Sequence, residues 1–355
     1  MSMKEVYTIG AVLVVLVGAG LAFLLLPGGK VAICEASGSC PPQTMDVMKR
    51  SGEPYKEIVD PSGFVNTDPI TIGQFIGKKV ILLDFLTYSC INCQRTFPYL
   101  NAWDEKYRDQ GLLIIGIHTP EFAFEKDINT VREAMQKFGI THPIVLDNDY
   151  ATWNAYGNRY WPRKYLIDIH GNVVYDHIGE GAYEETEANI RELLAERAQV
   201  LGEEMGVHDG LAVDAVARVR VSARSPETYF GSDRNEYLGN GTRGSRGTQV
   251  LTAPQTAQMD TLYLEGTWEI TSEYAKNVGV DARIVYRFDA ADVYFVAGAE
   301  KPVEISVFVD GKYANTQTIR PNTLYTLVSG AAAGAHTLEV RIHSPGLEAY
   351  AFTFG

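Results

Sequence analysis

The chain has 355 residues, 46% hydrophobic and 11% aromatic, which is the composition of a chain that folds and a length beyond one ordinary domain. Its 44 acidic residues outnumber 31 basic ones, giving a formal net charge of −13. That balance argues against nucleic acid and against an anionic membrane surface as partners.

Val6 to Gly29 carries no charged residue. As a helix, Tyr7 to Leu26 would be about 30 Å long, the hydrocarbon thickness of a bilayer. A cleaved signal peptide is the rival. The run exceeds an ordinary h-region, however, and Pro27-Gly28-Gly29-Lys30 is a poor small-x-small cleavage site. A lipoprotein reading of Cys34 is weaker still, because Ile33 stands where a small residue is wanted. A single uncleaved transmembrane helix in residues 1–29 is the expectation. Lys4 is offset by Glu5, and Lys30, Lys49 and Arg50 lie on the other side, so flanking charge leaves its orientation open. Residues 30–54 form a tether of Gly, Ser and Pro. Cys34 and Cys40 within it could close a structural disulfide, act as a second dithiol or stay free.

From Tyr55, strands alternate with helices. Lys79 to Thr87 is a buried strand broken only by Asp84. Ile91 to Gln110 is a helix, with Phe97, Leu100, Trp103 and Tyr107 at helical spacing. Between them lies Thr87-Tyr88-Ser89-Cys90-Ile91-Asn92-Cys93, a C-x-x-C where a strand hands over to a helix. There the first sulfur faces unpaired backbone N–H groups and the positive end of the helix dipole, which favour the thiolate. The second lies one turn along, close enough to form a Cys90–Cys93 disulfide. Zinc would want a second cysteine pair at similar spacing, and Cys34 and Cys40 do not supply it. No metal and no cofactor are expected; redox chemistry is.

Gly111 to His118 is a second buried strand. Asp127 to Phe138 is an amphipathic helix ended by Gly139. Pro143 to Leu146 is a short strand. Lys164 to Ile169 and Val173 to Ile178 form a hairpin about His170-Gly171-Asn172, and Glu184 to Gln199 is the last helix. This order, with the dithiol at the head of the first long helix, is that of the α/β thioredoxin fold, here over residues 55–201. The strand and helix added between Lys106 and Pro143 place it in the redoxin branch. Residues 202–225 are a wet link.

Over residues 226–355 helical periodicity stops. Leu262–Thr271, Ala282–Asp289, Asp292–Ala297, Val303–Val309, Tyr313–Ile319, Thr323–Val328, Thr337–Ile342 and Ala349–Phe354 read as strands. Many short strands with Gly-rich turns predict an all-β jelly-roll sandwich. Tyr263, Trp268, Tyr274 and Tyr286 could be sugar-stacking platforms, although aromatics in alternating strands are more often core.

Leu83 to Arg95, Gly116 to Phe122 and Asp147 to Pro162 closely resemble the thioredoxin-like portion of DipZ proteins, and Ala349 to Gly355 resembles that family's terminal β domain. The resemblance covers about Tyr55 to Gly355. DipZ proteins usually fuse a CcdA-type membrane domain to an extracytoplasmic thioredoxin-like domain and a carbohydrate-module-like β domain. Here one apolar segment stands in the CcdA position. The resemblance therefore implies dithiol exchange with protein substrates on the outer side of a membrane. Electrons would come from a separate membrane donor of CcdA type, and a glycan is a conceivable ligand of the β domain.

On that resemblance Cys90 attacks the substrate and Cys93 resolves the mixed disulfide. Asp84 occupies the place of the buried acid of thioredoxins. A carboxylate within a strand is costly to bury, and burial raises its pKa towards the working range of a proton acceptor for Cys93. A merely hydrogen-bonded Asp is the bland alternative. Trp161-Pro162 falls where the superfamily keeps a cis-proline beside the dithiol, so the Trp161 backbone and Pro162 are the expected substrate-binding elements. Two other functions compete. One is a redoxin-type thiol peroxidase: Thr87 lies three residues before Cys90, but Leu83 stands where the peroxidase motif has Pro. The other is an envelope glycan- or partner-binding protein whose dithiol is a local stabiliser. His118 and Glu121 are expected to be structural or solvated.

Overall fold

The structure is a computed structural model describing residues 52–204, 210–219, 223–332 and 334–355, together with the backbone of three short strands near the N-terminus. The chain divides into two compact units, residues 1–50 and 51–355. In the first, Leu16–Val17, Leu21–Leu25 and Val31–Glu35 pair antiparallel in that order. Leu21–Leu25 is thus extended where a helix is expected from sequence, since a wholly apolar run suits a buried strand as well as a helix. The rest of the expected transmembrane helix, the side chain of Cys34, and Cys40 lie outside the described residues. Among the described residues no helix is long and apolar enough to cross a membrane.

The second unit begins with a seven-stranded sheet. Its strands are β1 (Glu53–Pro54), β2 (Gly63–Val65), β3 (Val80–Leu86), β4 (Leu112–His118), β5 (Ile144–Leu146), β6 (Arg163–Ile167) and β7 (Asn172–Ile178). Their order across the sheet is β1-β7-β6-β3-β4-β5-β2. β3 lies at the centre and is buried along its whole length. It pairs parallel with β4 and antiparallel with β6, so both of its edges are bonded; both faces are packed as well, and its sequence is continuously apolar but for Asp84. Alternate side chains divide between two cores: Val80, Leu82 and Leu86 join Phe97, Leu100 and Trp103 on one face. Ile81, Leu83 and Phe85 join Trp153 and Tyr165 on the other.

The helices are α1 (Ile91–Tyr107), α2 (Ile128–Lys137), α3 (Ala151–Ala155) and α4 (Tyr183–Leu201). α2 starts where the Asp127 carboxylate accepts from the Asn129 N–H at 2.8 Å. Gly171, at φ 88°, makes the tight turn between β6 and β7. The aromatic run before Pro162 holds the short α3, which sequence periodicity did not suggest.

The segment read as a link does not run free. Its turn Ala212–Ala215 buries Ala212 and Val213 against the α1 side of the core. Their N–H groups donate to the buried Glu187 carboxylate of α4 at 2.6 and 3.0 Å, and the same carboxylate accepts from Trp103 Nε1 and the Tyr107 hydroxyl.

The remainder is all β. Each of the eight strands expected there is present, within a residue or two of the expected bounds. Thr228–Tyr229, Gly247–Leu251 and Ala275–Asn277 are additional. They form one continuous eleven-stranded sheet curled into a near-barrel, where separate sandwich sheets were expected. The reason lies in Leu262–Ile270. Residues 262–265 pair with Ala282–Asp289, while 266–270 pair with Gly247–Leu251. Gly266, at φ 99°, sits at the changeover, a backbone that a side-chain-bearing residue rarely adopts. Trp268, Tyr286, Phe288, Phe295 and Phe352 fill the interior.

This β domain docks on the loop that follows β4. Phe122 packs edge-on to Tyr350 with ring centroids 5.0 Å apart. Glu121 Oε1 accepts from Arg234 Nη1 at 2.7 Å and from the Tyr229 hydroxyl at 2.8 Å. Arg95 of α1 lies over the Tyr294 ring, 5.3 Å from its centroid.

Candidate active site

β3 ends at Leu86, and the chain turns through Thr87-Tyr88-Ser89 before α1 begins. Cys90 is the N-cap of α1, with extended backbone (φ −77°, ψ 119°), and its sulfur accepts from the Cys93 N–H at 3.4 Å. The expected position facing the helix donors is therefore the observed one. Cys90 is half-buried and Cys93 fully buried, and both are free thiols. Burial, the hydrogen bond to Cys90 and the charge of Asp84 push the Cys93 thiol well above its ordinary pKa. One sulfur is thus open to a substrate and the other shielded.

The Trp161–Pro162 peptide is cis, as its place in the chain suggests. The Cys90 thiol points to the Trp161 carbonyl at 4.0 Å, so the residue before Pro162 lies beside the reactive sulfur. The indole of Trp161 donates to the Thr119 carbonyl at 3.0 Å and lies against Trp153, ring centroids 4.3 Å apart. Of the neighbouring aromatics Trp153 is buried, Tyr150 and Tyr156 are half-buried against the same core, and Tyr160 is exposed.

Asp84 is wholly buried, and neither carboxylate oxygen has a hydrogen-bond partner. Desolvation raises its pKa to about 7, against the pull of Lys164. Lys164 sits directly across the sheet on β6, in Cα register with Asp84, and is itself wholly buried. Its Nζ donates to the Gly179 carbonyl at 3.3 Å; burial lowers its pKa, while Asp84 and Cys93 hold it up. A carboxylate with a pKa near neutrality thus lies within the field of the Cys93 sulfur, with a buried cation at its side. Sequence reasoning missed Lys164. The available signal was parity: Lys164 shares a strand face with Leu166, so a charge there points into the core.

Glu125 was also missed. It lies on the turn Ala123–Lys126 and is fully buried. Its carboxylate accepts from the Thr87 hydroxyl at 2.5 Å and from the Ser89 hydroxyl at 2.7 Å. Burial raises its pKa while those hydrogen bonds oppose the rise. Thr87, the residue that invited a peroxidase reading, thus directs its hydroxyl to Glu125. Arg95 is committed to Glu180 at 3.2 Å. His118 is buried and stacked on Tyr88, and desolvation takes its pKa down to about 3, so it is a neutral core residue. Glu121, expected to be structural or solvated, binds the β domain. Among the described residues, no cluster of three or more His, Cys, Asp or Glu side chains could hold a metal ion. Of the aromatics considered for sugar stacking, Tyr263, Trp268 and Tyr286 are buried, and Tyr274 packs on Tyr350.

Residues 41–194 match the Redoxin family, and residues 225–355 match the family described as thioredoxin-like C-terminal domain. Protein DipZ of Mycobacterium bovis is 39% identical over 298 residues, which is 83% of this chain and 42% of DipZ. The chain thus spans less than half of that relative. The thiol-disulfide oxidoreductase YkuV of Bacillus subtilis is 30% identical over 144 residues, covering 41% of this chain and 96% of YkuV. ResA of Halalkalibacterium halodurans, also a thiol-disulfide oxidoreductase, is 32% identical over 131 residues, 37% of this chain and 70% of ResA. With a dithiol at the head of α1 and a redoxin domain joined to this C-terminal domain, the chain belongs to the thioredoxin-like thiol–disulfide oxidoreductases and, within them, to the DipZ type.

Proposed function

We propose that the chain exchanges dithiol for disulfide with protein substrates through Cys90 and Cys93, outside the cytoplasm and tethered to a membrane by its apolar N-terminal segment. The observation that carries this reading is the asymmetry of the pair. Cys90 is reachable and receives a helix N–H, while Cys93 is buried in the field of an unpartnered carboxylate. Cys90 thiolate attacks a substrate disulfide, forming a mixed disulfide and expelling one substrate thiolate. The Cys93 thiol then gives its proton to Asp84 and, as thiolate, attacks the Cys90 sulfur, expelling the second substrate thiolate; the two substrate thiolates take up protons from Asp84 and solvent. The substrate disulfide becomes two thiols as Cys90–Cys93 is oxidised. A membrane dithiol donor of CcdA type would return the pair to its reduced form. The Trp161 backbone, beside Cys90, would pair with the substrate strand, and Pro162 would form the floor next to the sulfurs.

Thiol peroxidation is disfavoured because Thr87 is turned to Glu125 and a resolving thiol lies one helical turn away. A glycan role for the β domain lacks the aromatic platforms suggested from sequence. The test is trapping. Cys93→Ser should accumulate a mixed disulfide through Cys90 and Cys90→Ser should not, while the unaltered chain reduces insulin. Equal trapping by both variants, or none together with no insulin reduction, would overturn the reading. Recovery of the full-length chain in a membrane fraction, with the body open to external protease, tests the location.

A further inference from the structure

The carboxylate of Glu125 takes no part in the exchange steps, yet it touches the chain immediately before Cys90. Its Oε1 accepts from Thr87 Oγ1 at 2.5 Å, Ser89 N at 3.2 Å and Ser89 Oγ at 2.7 Å. Its Oε2 accepts from the N–H groups of Glu121 at 2.7 Å and Phe122 at 3.0 Å. Every partner is a donor. An ionised carboxylate meets that demand; an amide would turn its own N–H groups on one of the two sets.

The two oxygens hold different segments. One fixes the approach to Cys90. The other fixes residues 121–122, which the β domain grips from outside through Arg234 and Tyr229 on Glu121. Glu273 adds a further hold, accepting from the Ala123 N–H at 3.1 Å. The same loop begins at Thr119, whose carbonyl receives the Trp161 indole. A single stretch, residues 119–126, therefore joins the approach to Cys90, the residue before Pro162 and the β domain.

We propose that Glu125 is a positioning residue for Cys90, and that the β domain, by clamping residues 121–123, braces the dithiol against the loss of that position. This rests on the dithiol-exchange reading of Cys90. In physical terms, the segment 87–89 has no regular secondary structure to hold it. Its placement then depends on a buried anion whose other end is tied to a second domain. Small displacements of a reacting group can cost about 10²-fold in rate.

The experiment follows Cys90 itself in the full-length chain. In a Cys93→Ser background, the rate of Cys90 alkylation by iodoacetamide is measured by peptide mass spectrometry, which separates it from Cys34 and Cys40. Glu125→Gln should slow the reaction about tenfold or more. Glu125→Asp, which keeps an acceptor-only group, should restore part of the rate. Arg234→Ala should slow it less, and the double variant should fall short of the product of the single effects, because both act through one loop. A folded Glu125→Gln with the unaltered rate would overturn the positioning role. An unaltered rate in Arg234→Ala would overturn the brace. Should Glu125→Gln fail to fold, Arg234→Ala and Glu121→Gln, which touch only the outer contacts, decide it: unchanged rates in both would overturn the proposal. Iodoacetamide needs no disulfide partner. Lack of insulin reduction in the unaltered chain would therefore count against dithiol exchange, while the alkylation series would still report on Glu125.

Discussion

Asp84 and Glu187 are both carboxylates without exposed surface, and the protein treats them in opposite ways. Around Glu187, the indole of Trp103, the hydroxyl of Tyr107 and the N–H groups of Ala212 and Val213 converge, so both oxygens are satisfied. Around Asp84 no donor reaches either oxygen, and its counter-charge is Lys164, itself buried. A carboxylate given donors acts as mortar between elements. One denied them sits near its titration point, with a pKa of about 7, and is free to take a proton. Burial alone does not separate the two carboxylates; the absence of partners does.

The comparison can be broken most forcefully at Glu187. Glu187→Ala leaves four donors without their acceptor. At about 1–3 kcal/mol for each unsatisfied group, and allowing for water entry, stability should fall by about 3 kcal/mol or more in urea melts. The resolution rate of the folded fraction should be unchanged. A large loss of rate without loss of stability would erase the distinction between the two carboxylates.

Asp84→Asn should do the reverse. Resolution of the mixed disulfide, followed by stopped-flow fluorescence, should slow about 10²-fold, and attack by Cys90 should survive. Stability should respond to pH with a definite sign. The folded pKa of Asp84, about 7, lies above its ordinary value of 3.8. The folded chain therefore holds a proton that the unfolded chain has lost between those values. The Asp84 contribution is fully favourable below pH 4 and is lost as pH rises through 7, a swing of a few kcal/mol at most. Asp84→Asn should remove the Asp84 share of that slope in denaturant titrations between pH 4 and 8, leaving the share of Glu227, which burial also raises to about 7, and the opposing share of the buried His118 and His142. A slope left unchanged by Asp84→Asn would mean that Asp84 does not contribute to it.

A smaller effect belongs to Lys164. Because its charge holds the Asp84 pKa down, Lys164→Met should move the pH midpoint of the resolution rate upward. A midpoint that stays in place, or moves down, would show that the two charges are not coupled.

How much of this was legible beforehand depended on the range of the interactions. The dithiol, Asp84 and Pro162 stood out because their meaning is local: a motif at a strand-to-helix junction, an acid in an apolar strand, a proline before a hairpin. Lys164 looked like an ordinary charge at a strand start. Only the antiparallel register of β6 on β3 places it opposite Asp84. Glu125 and Glu187 lie in polar stretches with no local mark of burial, and the donors that fix them, Thr87 and Ser89 for the one and Trp103, Tyr107, Ala212 and Val213 for the other, come from far along the chain. In the β domain the strands were visible in their alternation. The curl of one sheet through Gly266 was not, because a strand that changes partners midway keeps its period.

The docked turn Ala212–Ala215 bears on how this architecture comes apart and is recombined. A cut after Leu201, where the last helix ends, looks clean on a diagram of helices and strands. It would strip the N–H groups of Ala212 and Val213 from Glu187 and open the core around Trp103 to water. The natural seam lies beyond residue 216. Any rearrangement that carries the redoxin module to a new neighbour has to take the intervening stretch along as its final piece.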